Sequence, residues 1–231
     1  MEAFLLQVNW SPLFISLRTG ILATLIAFFL GIWAARFVMK LSNTLKWLVD
    51  GILTLPLVLP PTVAGFFLLM LFSLKRPLGK YLWVSFGVKV VLSPIGCVIA
   101  ASVIAFPLMY RNARAAFEQI DINMINAGRI LGMSERAIFW KVVMPIASPG
   151  IASGTVLTFA RALGEYGATS MLAGNILGKT QTIAVAIASE VAAGNYDIAG
   201  FWVMIIIVIS FVIVFAINLI SGKGMKQMGR W

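Results

Sequence analysis

Charged positions are so sparse along this chain that the gaps between them mark its organisation. Residues 19–35, 51–74, 90–110, 142–160 and 198–222 contain no Asp, Glu, Lys or Arg. A helix needs about 20 apolar residues, range about 17–25, to cross hydrocarbon. The runs are continuously apolar and do not alternate, which selects helices over a barrel. The pattern predicts five membrane spans, near 12–38, 47–73, 91–113, 144–166 and 199–221. The stretch 167–198 reads differently. It holds Gly167, Gly174, Gly178 and Gly194, and a short apolar run from Thr182 to Ala188 that Glu190 ends. That run is too short to cross alone and predicts a short helix at the outer surface or dipping partly in. A sixth span over 182–195 would need Glu190 inside the membrane, which is costly. The predicted fold class is an all-α membrane protein of five transmembrane helices, or six on that reading. Without internal repeats, residues 1–231 read as one membrane domain with a core about 12–221.

Composition excludes a soluble enzyme. The 231 residues are 61% hydrophobic and 11% charged, where soluble domains run at about 45–50% apolar and about 25% charged. Histidine is absent and Cys97 is the one cysteine, so an internal disulfide framework is impossible and a His/Cys metal site is not expected. Cys97 falls inside the third span as a small packing residue. Residues 1–17 carry Glu2 and no basic residue, unlike a signal peptide with its positive start, so the N-terminus reads as mature.

The excess of 18 Lys+Arg over 8 Asp+Glu gives +10. In a membrane chain this points to basic residues held at the cytoplasmic face, not to nucleic acid. An N-outside, C-inside arrangement puts Arg36, Lys40, Lys46, Arg111, Arg114, Arg129, Arg136, Lys141, Lys223, Lys226 and Arg230 inside. It leaves Lys75, Arg76, Lys80, Lys89 and Lys179 outside. The tail from Gly222 to Arg230 then anchors the cytoplasmic end. Trp10, Trp202 and Trp231 fall near interfaces, where indoles prefer to sit. The basic segment Lys75-Arg76-Pro77-Leu78-Gly79-Lys80 is discordant outside. It suits docking of an external partner or concentration of anions, and equally a plain solubilising loop.

The connection from about 118 to 145 is long and patterned. Asp121 can cap a helix, Ile122 to Leu131 can form it, and Gly132 can stop it. Ser134 can cap a second helix running towards Pro145. Small residues at Ala127 and Gly128 beside Ile122, Ile125 and Leu131 suit insertion into a partner's groove. The same pattern suits an amphipathic helix on the membrane surface.

The spacing decides between them. Asn126-Ala127-Gly128, three residues, Gly132, nine residues, then Val142-Val143-Met144-Pro145 resembles the EAA loop of ABC importer permeases. There Glu-Ala-Ala, three residues, Gly and nine residues precede Ile-x-Leu-Pro. Asn126 stands for Glu, Gly128 for the second Ala, Val142 for Ile and Met144 for Leu. The segments Leu55-Pro56-Leu57-Val58-Leu59-Pro60-Pro61-Thr62-Val63-Ala64-Gly65 and Ala160-Arg161-Ala162-Leu163-Gly164-Glu165-Tyr166-Gly167-Ala168-Thr169 are similar to the molybdate permease branch, near the tungstate and sulfate permeases. The similarity extends to Leu172–Thr182 and covers roughly residues 10–220.

The resemblance implies a type I ABC importer permease fold and a place in the inner membrane of a prokaryote. Two permease copies would pair, and each would dock its loop (Asn126, Ala127, Gly128, Arg129, Leu131, Gly132, Pro145) on one of two ATP-binding subunits. An external molybdate-type binding protein would deliver the oxyanion, most simply molybdate, with tungstate or sulfate/thiosulfate as the alternatives. This chain would bind no cofactor, and ATP and Mg would sit on the partner. Consistent with that, no G-x-x-x-x-G-K-[ST] phosphate loop is present.

Physical reading leaves the path itself more open. Pro56, Pro60 and Pro61 must bend or break the second span, and freed carbonyls at membrane depth need protein or water beside them. The break either lines a translocation path or is a packing kink. Arg161 and Glu165 stand one helical turn apart and form either a mutual salt bridge or, through Arg161, a direct contact to substrate. A conduit works better with weak donors such as Ser102, Thr158 and backbone N–H groups than with an exposed arginine, because tight binding stops release. A stand-alone secondary transporter would carry internal repeats and midplane ionisable groups. A membrane-embedded enzyme would need a catalytic constellation that no set of residues here provides.

Overall fold

The computed structural model describes residues 9–228, with side chains as far as Phe215. The basic side chains of the tail, Trp231 and the residues before Asn9 lie outside the described residues. The helices are α1 (Ser11–Val38), α2 (Asn43–Val58), α3 (Pro61–Phe72), α4 (Pro77–Phe86), α5 (Pro94–Glu118) and α6 (Ile122–Ile130). There follow α7 (Glu135–Ile138), a π turn (Phe139–Val143), α8 (Met144–Leu163), α9 (Gly167–Ala173), α10 (Ile183–Ala192) and α11 (Tyr196–Met228).

Among the described residues four stretches are long and apolar enough to cross a membrane: α1, α5, the continuous run Glu135–Leu163, and Tyr196–Phe215 of α11. The expected span over 47–73 is instead the pair α2 and α3, and the chain turns by 108° between them. A residue before proline is pushed out of the α region. Leu59 precedes Pro60 and has ψ 141°, and Pro60 precedes Pro61 and has ψ 133°. Two successive extended residues end α2, and Pro61 starts α3 at a position where the missing N–H is harmless. Pro56 sits inside α2 without ending it.

Outside the spans, the basic segment from Lys75 folds into α4, which Gly87 closes at φ +65°. A Cβ on Gly79 would stand 2.3 Å from the carbonyl oxygens of Phe72 and Ser73, so α4 is held hard against the end of α3. The stretch after α8 gives two short helices. The second, α10, extends for about 15 Å at about 1.5 Å per residue, half of the hydrocarbon thickness. Thr182 caps it by accepting from Val185 N at 3.4 Å, and Ile183 N donates to Ser16 Oγ of α1 at 2.7 Å.

Small residues set how closely the spans approach. The buried face of α1 is Ser16, Thr19, Gly20, Ala23, Thr24, Ala27, Gly31, Ala34 and Ala35, a helical stripe of small side chains. Lipid tails are as apolar as leucine, so membrane helices associate by van der Waals packing, and small residues let backbones come close. A Cβ on Gly31 would meet Met109 Cγ at 2.8 Å and Tyr110 N at 3.0 Å. On the other side of α5, a Cβ on Gly154 of α8 would meet Asn112 Cβ at 2.5 Å. Helix α5 therefore sits between α1 and α8 at near-minimal separation. Around it lie the buried Ala113, Phe117, Phe139, Ala147 and Ile151.

Gly31→Val should lower the thermal midpoint of the detergent-solubilised protein, because overpacking of this kind costs about 1–3 kcal/mol. Gly51→Ala, where nothing lies within 4 Å of the added Cβ, should leave it unchanged or raise it slightly. Equal effects of the two changes would refute the close-packing account.

Candidate functional site

The two sequence segments singled out above, 55–65 and 160–169, meet in space. A Cβ on Gly65 of α3 would lie 2.7 Å from Ala168 Cα, and one on Gly167 would lie 2.9 Å from Pro61 Cβ. The start of α3 is thus pressed against α9 through glycine on both sides. Between α8 and α9 the Glu165 side chain is 1% exposed, and Arg161 is 30% exposed. One Glu165 carboxylate oxygen accepts from Arg161 Nη1 at 2.7 Å, and the other accepts from Ala168 N at 2.7 Å. A buried carboxylate needs its lone pairs filled. Here it spends them on pairing the arginine and on capping α9. The geometry is that of the mutual salt bridge, with Arg161 keeping an open side.

Pro56 lies apart from this cradle. It lines an apolar cavity of about 390 Å³ between α1, α2 and α5, with Ile26, Leu30, Ile52, Ser102 and Phe106. The hydroxyls read as weak donors are not free. Ser102 donates to Val98 O at 2.7 Å, and the fully buried Thr158 donates to Gly154 O at 2.7 Å. Each spends its hydrogen on its own helix. Thr169 differs: its Oγ1 is buried on α9 with no hydrogen-bond partner among the described residues. Cys97 is buried, and its thiol donates to Thr180 O at 3.6 Å, which is a packing role. Trp202 is also buried, in contact with Trp10 at 6.2 Å between ring centres. It packs against Ile183 and Ala186 of α10.

The loop after α5 has the expected form. Asp121 accepts from Asn123 N at 2.8 Å and opens α6, and Ser134 accepts from Ala137 N at 3.3 Å and opens α7. Gly132 stands at φ +73°, and Met133 N reaches back to Gly128 O at 3.0 Å. This is a glycine-closed helix end. Gly128 is buried, and an added Cβ would meet Ile138 Cγ1 at 3.1 Å. Its smallness therefore serves packing inside the loop. Arg129 donates to Glu135 at 2.7 Å and to Asn126 at 3.2 Å, which staples the two sides of the corner. That hydrogen bond raises the Arg129 pKa further, so the staple stays charged. Asn126 and Ala127 are exposed. At the tip Ile130 is 86% and Leu131 79% exposed.

The second loop helix does not stop at Pro145. Glu135–Leu163 is one run of 29 residues. The π turn Phe139–Val143 absorbs Pro145 early in α8, as such turns do where the hydrogen-bond ladder is interrupted. The run is about 43 Å long at about 1.5 Å per residue. It joins the loop corner directly to Arg161 and the cradle. Arg36 of α1 stacks over the Phe139 ring at 3.9 Å and ties the base of the loop to the bundle.

Sequence reasoning missed a charged cluster between α2 and α5. Tyr110 Oη donates to Asp50 Oδ1 at 2.8 Å, and Arg114 pairs with the same oxygen. Arg114 Nε also meets Glu118 at 2.8 Å, and Lys46 meets Glu118 at 3.1 Å. Asp50 falls inside the expected span 47–73, and a lone carboxylate there was the signal that it must have a partner.

Known proteins resemble this chain over most of its length. Residues 27–220 match the family described as binding-protein-dependent transport system inner membrane component. The molybdenum transport system permease protein ModB of Escherichia coli (strain K12) is 41% identical over 175 residues, 76% of each chain. The sulfate transport system permease protein CysT of the same organism is 31% identical over 185 residues, covering 80% of this chain and 66% of CysT. Among solved structures, an inward-facing form of the MetNI methionine ABC transporter aligns at a TM-score of 0.72 with 16% identity. It covers 92% of this chain and 94% of that one, a likeness of fold. The chain belongs to the family of binding-protein-dependent transport system inner membrane components.

Proposed function

We propose that the chain is the permease subunit of an ATP-driven importer for a tetrahedral oxyanion, molybdate first. The observation that carries the reading is the continuous lever from the loop corner to the cradle. A rigid, stapled corner presents Ile130 and Leu131 at its tip. The run Glu135–Leu163 begins three residues after Gly132, carries Arg161 in its last turn and ends two residues before Glu165, in the link to α9. A partner that grips the tip can move the far end as one body.

In this reading two copies pair, and each tip docks on a separate subunit that binds ATP and Mg and performs the hydrolysis. An external binding protein supplies the anion. The N-terminus faces outside, and the loop and C-terminus face the cytoplasm of a prokaryote, as the distribution of basic residues favours. Residues Asn126, Ala127, Arg129, Leu131, Gly132 and Pro145 shape the docking corner. Pro60, Pro61 and the Arg161–Glu165 pair support the path. Molybdate is favoured because the relative named for molybdenum is 41% identical, and the one named for sulfate is 31% identical. Sulfate, thiosulfate and tungstate are the second reading, since all are oxyanions of similar shape.

In liposomes holding the complete transporter and its binding protein, molybdate or tungstate should stimulate ATP hydrolysis and sulfate should not. Stimulation by sulfate alone would move the substrate, and none by any of the three would overturn the oxyanion reading.

Gly132→Val should abolish uptake while the protein remains folded in the membrane. The position is open but left-handed, so the strain of about 1–2 kcal/mol falls on the corner alone. Gly132→Asn should keep much of the activity, because Asn tolerates that conformation. Normal ATP-driven uptake by Gly132→Val would count against the coupling role.

Arg161→Ala should destabilise more than Glu165→Gln. The first strands a buried carboxylate, for about 3–5 kcal/mol. The second leaves an arginine that still reaches its open side and an amide oxygen that can still cap Ala168, for about 1–2 kcal/mol. Thermal unfolding in detergent decides the order.

A further inference from the structure

A second crevice, away from the cradle, holds two cations that the transport reading does not use. It has a volume of about 300 Å³ and lies between α1, the first turn of α5 and the segment before α10. Arg18 and Lys179 face it, and Ile15, Leu22, Ile95 and Val98 form apolar wall. Among the described residues neither cationic side chain has an ion pair or a hydrogen bond. Both side chains are exposed, and Arg18 stands near the start of a membrane-spanning helix.

Its depth can be read from the helix. The interval from Arg18 to Arg36 along α1 measures about 27 Å at about 1.5 Å per residue, close to the hydrocarbon thickness of about 30 Å. The two arginines therefore bracket the hydrocarbon, and Arg18 stands at the level of lipid phosphates. Lys179 reaches the same place from the loop. The N-terminal end of α5 at Pro94 also borders the crevice and adds the positive end of a helix dipole. Below this positive mouth the walls are apolar.

We infer that the Arg18–Lys179 crevice is a binding site for an anionic phospholipid. The phosphodiester lies between the two cations, and one acyl chain runs along Leu22, Ile95 and Val98. A free inorganic oxyanion shares the phosphate chemistry but leaves the apolar walls unused, so the amphipathic lining selects the lipid. The site is independent of which anion the protein transports.

The test uses the full-length chain in a neutral detergent, titrated with dioleoyl phosphatidylglycerol or dioleoyl phosphatidylcholine and observed by native mass spectrometry. The wild type should hold phosphatidylglycerol in preference. Arg18→Gln and Lys179→Gln should each weaken it about fivefold, and the double variant should bring it near the phosphatidylcholine level. Arg18→Lys should keep most of the binding. Leu22→Trp, which fills the crevice and leaves both cations, should weaken both lipids. Lys75→Gln should change nothing. Equal phosphatidylglycerol binding by wild type and folded double variant would overturn the site. Displacement of phosphatidylglycerol by millimolar sulfate or molybdate would also overturn it, and would assign the cations to a free anion.

Discussion

Everything in this bundle rests on how closely backbones can approach inside hydrocarbon. Apolar side chains gain little by leaving lipid for protein, so the large exposed residues such as Phe29, Trp33 and Phe211 simply face outwards. What holds α1, α5 and α8 together is the run of glycine, alanine and hydroxyl side chains on their shared faces, where Gly31 and Gly154 leave no room for even one more carbon. The same device recurs at the site, where Gly65 and Gly167 press the broken second span against α9. Packing of the core and placement of the cradle are one constraint applied twice.

Given that constraint, polar groups can be few, and each one decides something. Glu165 is buried and fully partnered, so it fixes where α8 ends and where α9 begins. Arg161 pairs with it and keeps an open side. The run from Glu135 to Leu163 then links the loop corner to the cradle through one continuous helical stretch, interrupted by the π turn. The π turn around Phe139 is held by Arg36 and by the neighbouring Phe117 ring at 6.0 Å.

Much of this was legible in the sequence, because the relevant signals are local. Gaps between charges located the spans, the prolines at 56, 60 and 61 announced the break, and Asp121, Gly132 and Ser134 drew the loop. Each works through its own backbone or the next turn. What was not legible depends on distant partners. No local pattern says that Gly65 packs on Ala168 and Gly167 on Pro61, that Thr158 spends its hydroxyl on its own helix while the buried Thr169 hydroxyl has no partner among the described residues, or that Gly128 packs inside its own loop. The 108° turn at Leu59–Pro60 is similar: proline predicts a break, but its angle comes from where α3 can pack.

The two halves of the broken span are held by unlike forces. Helix α3 is fixed to α9 by glycine contacts that no side-chain rotation can relax. Helix α2 meets α5 through Lys46, Asp50, Tyr110, Arg114 and Glu118 and through partly buried Val49 and Leu53, and the carboxylates are partly exposed, at 36% for Asp50 and 41% for Glu118. Exposed ion pairs are worth about 0–1 kcal/mol each, and water can replace them. Close packing has no such substitute. A transporter that must open and close around the Leu59–Pro60 corner would therefore part α2 from α5 at lower cost than α3 from α9.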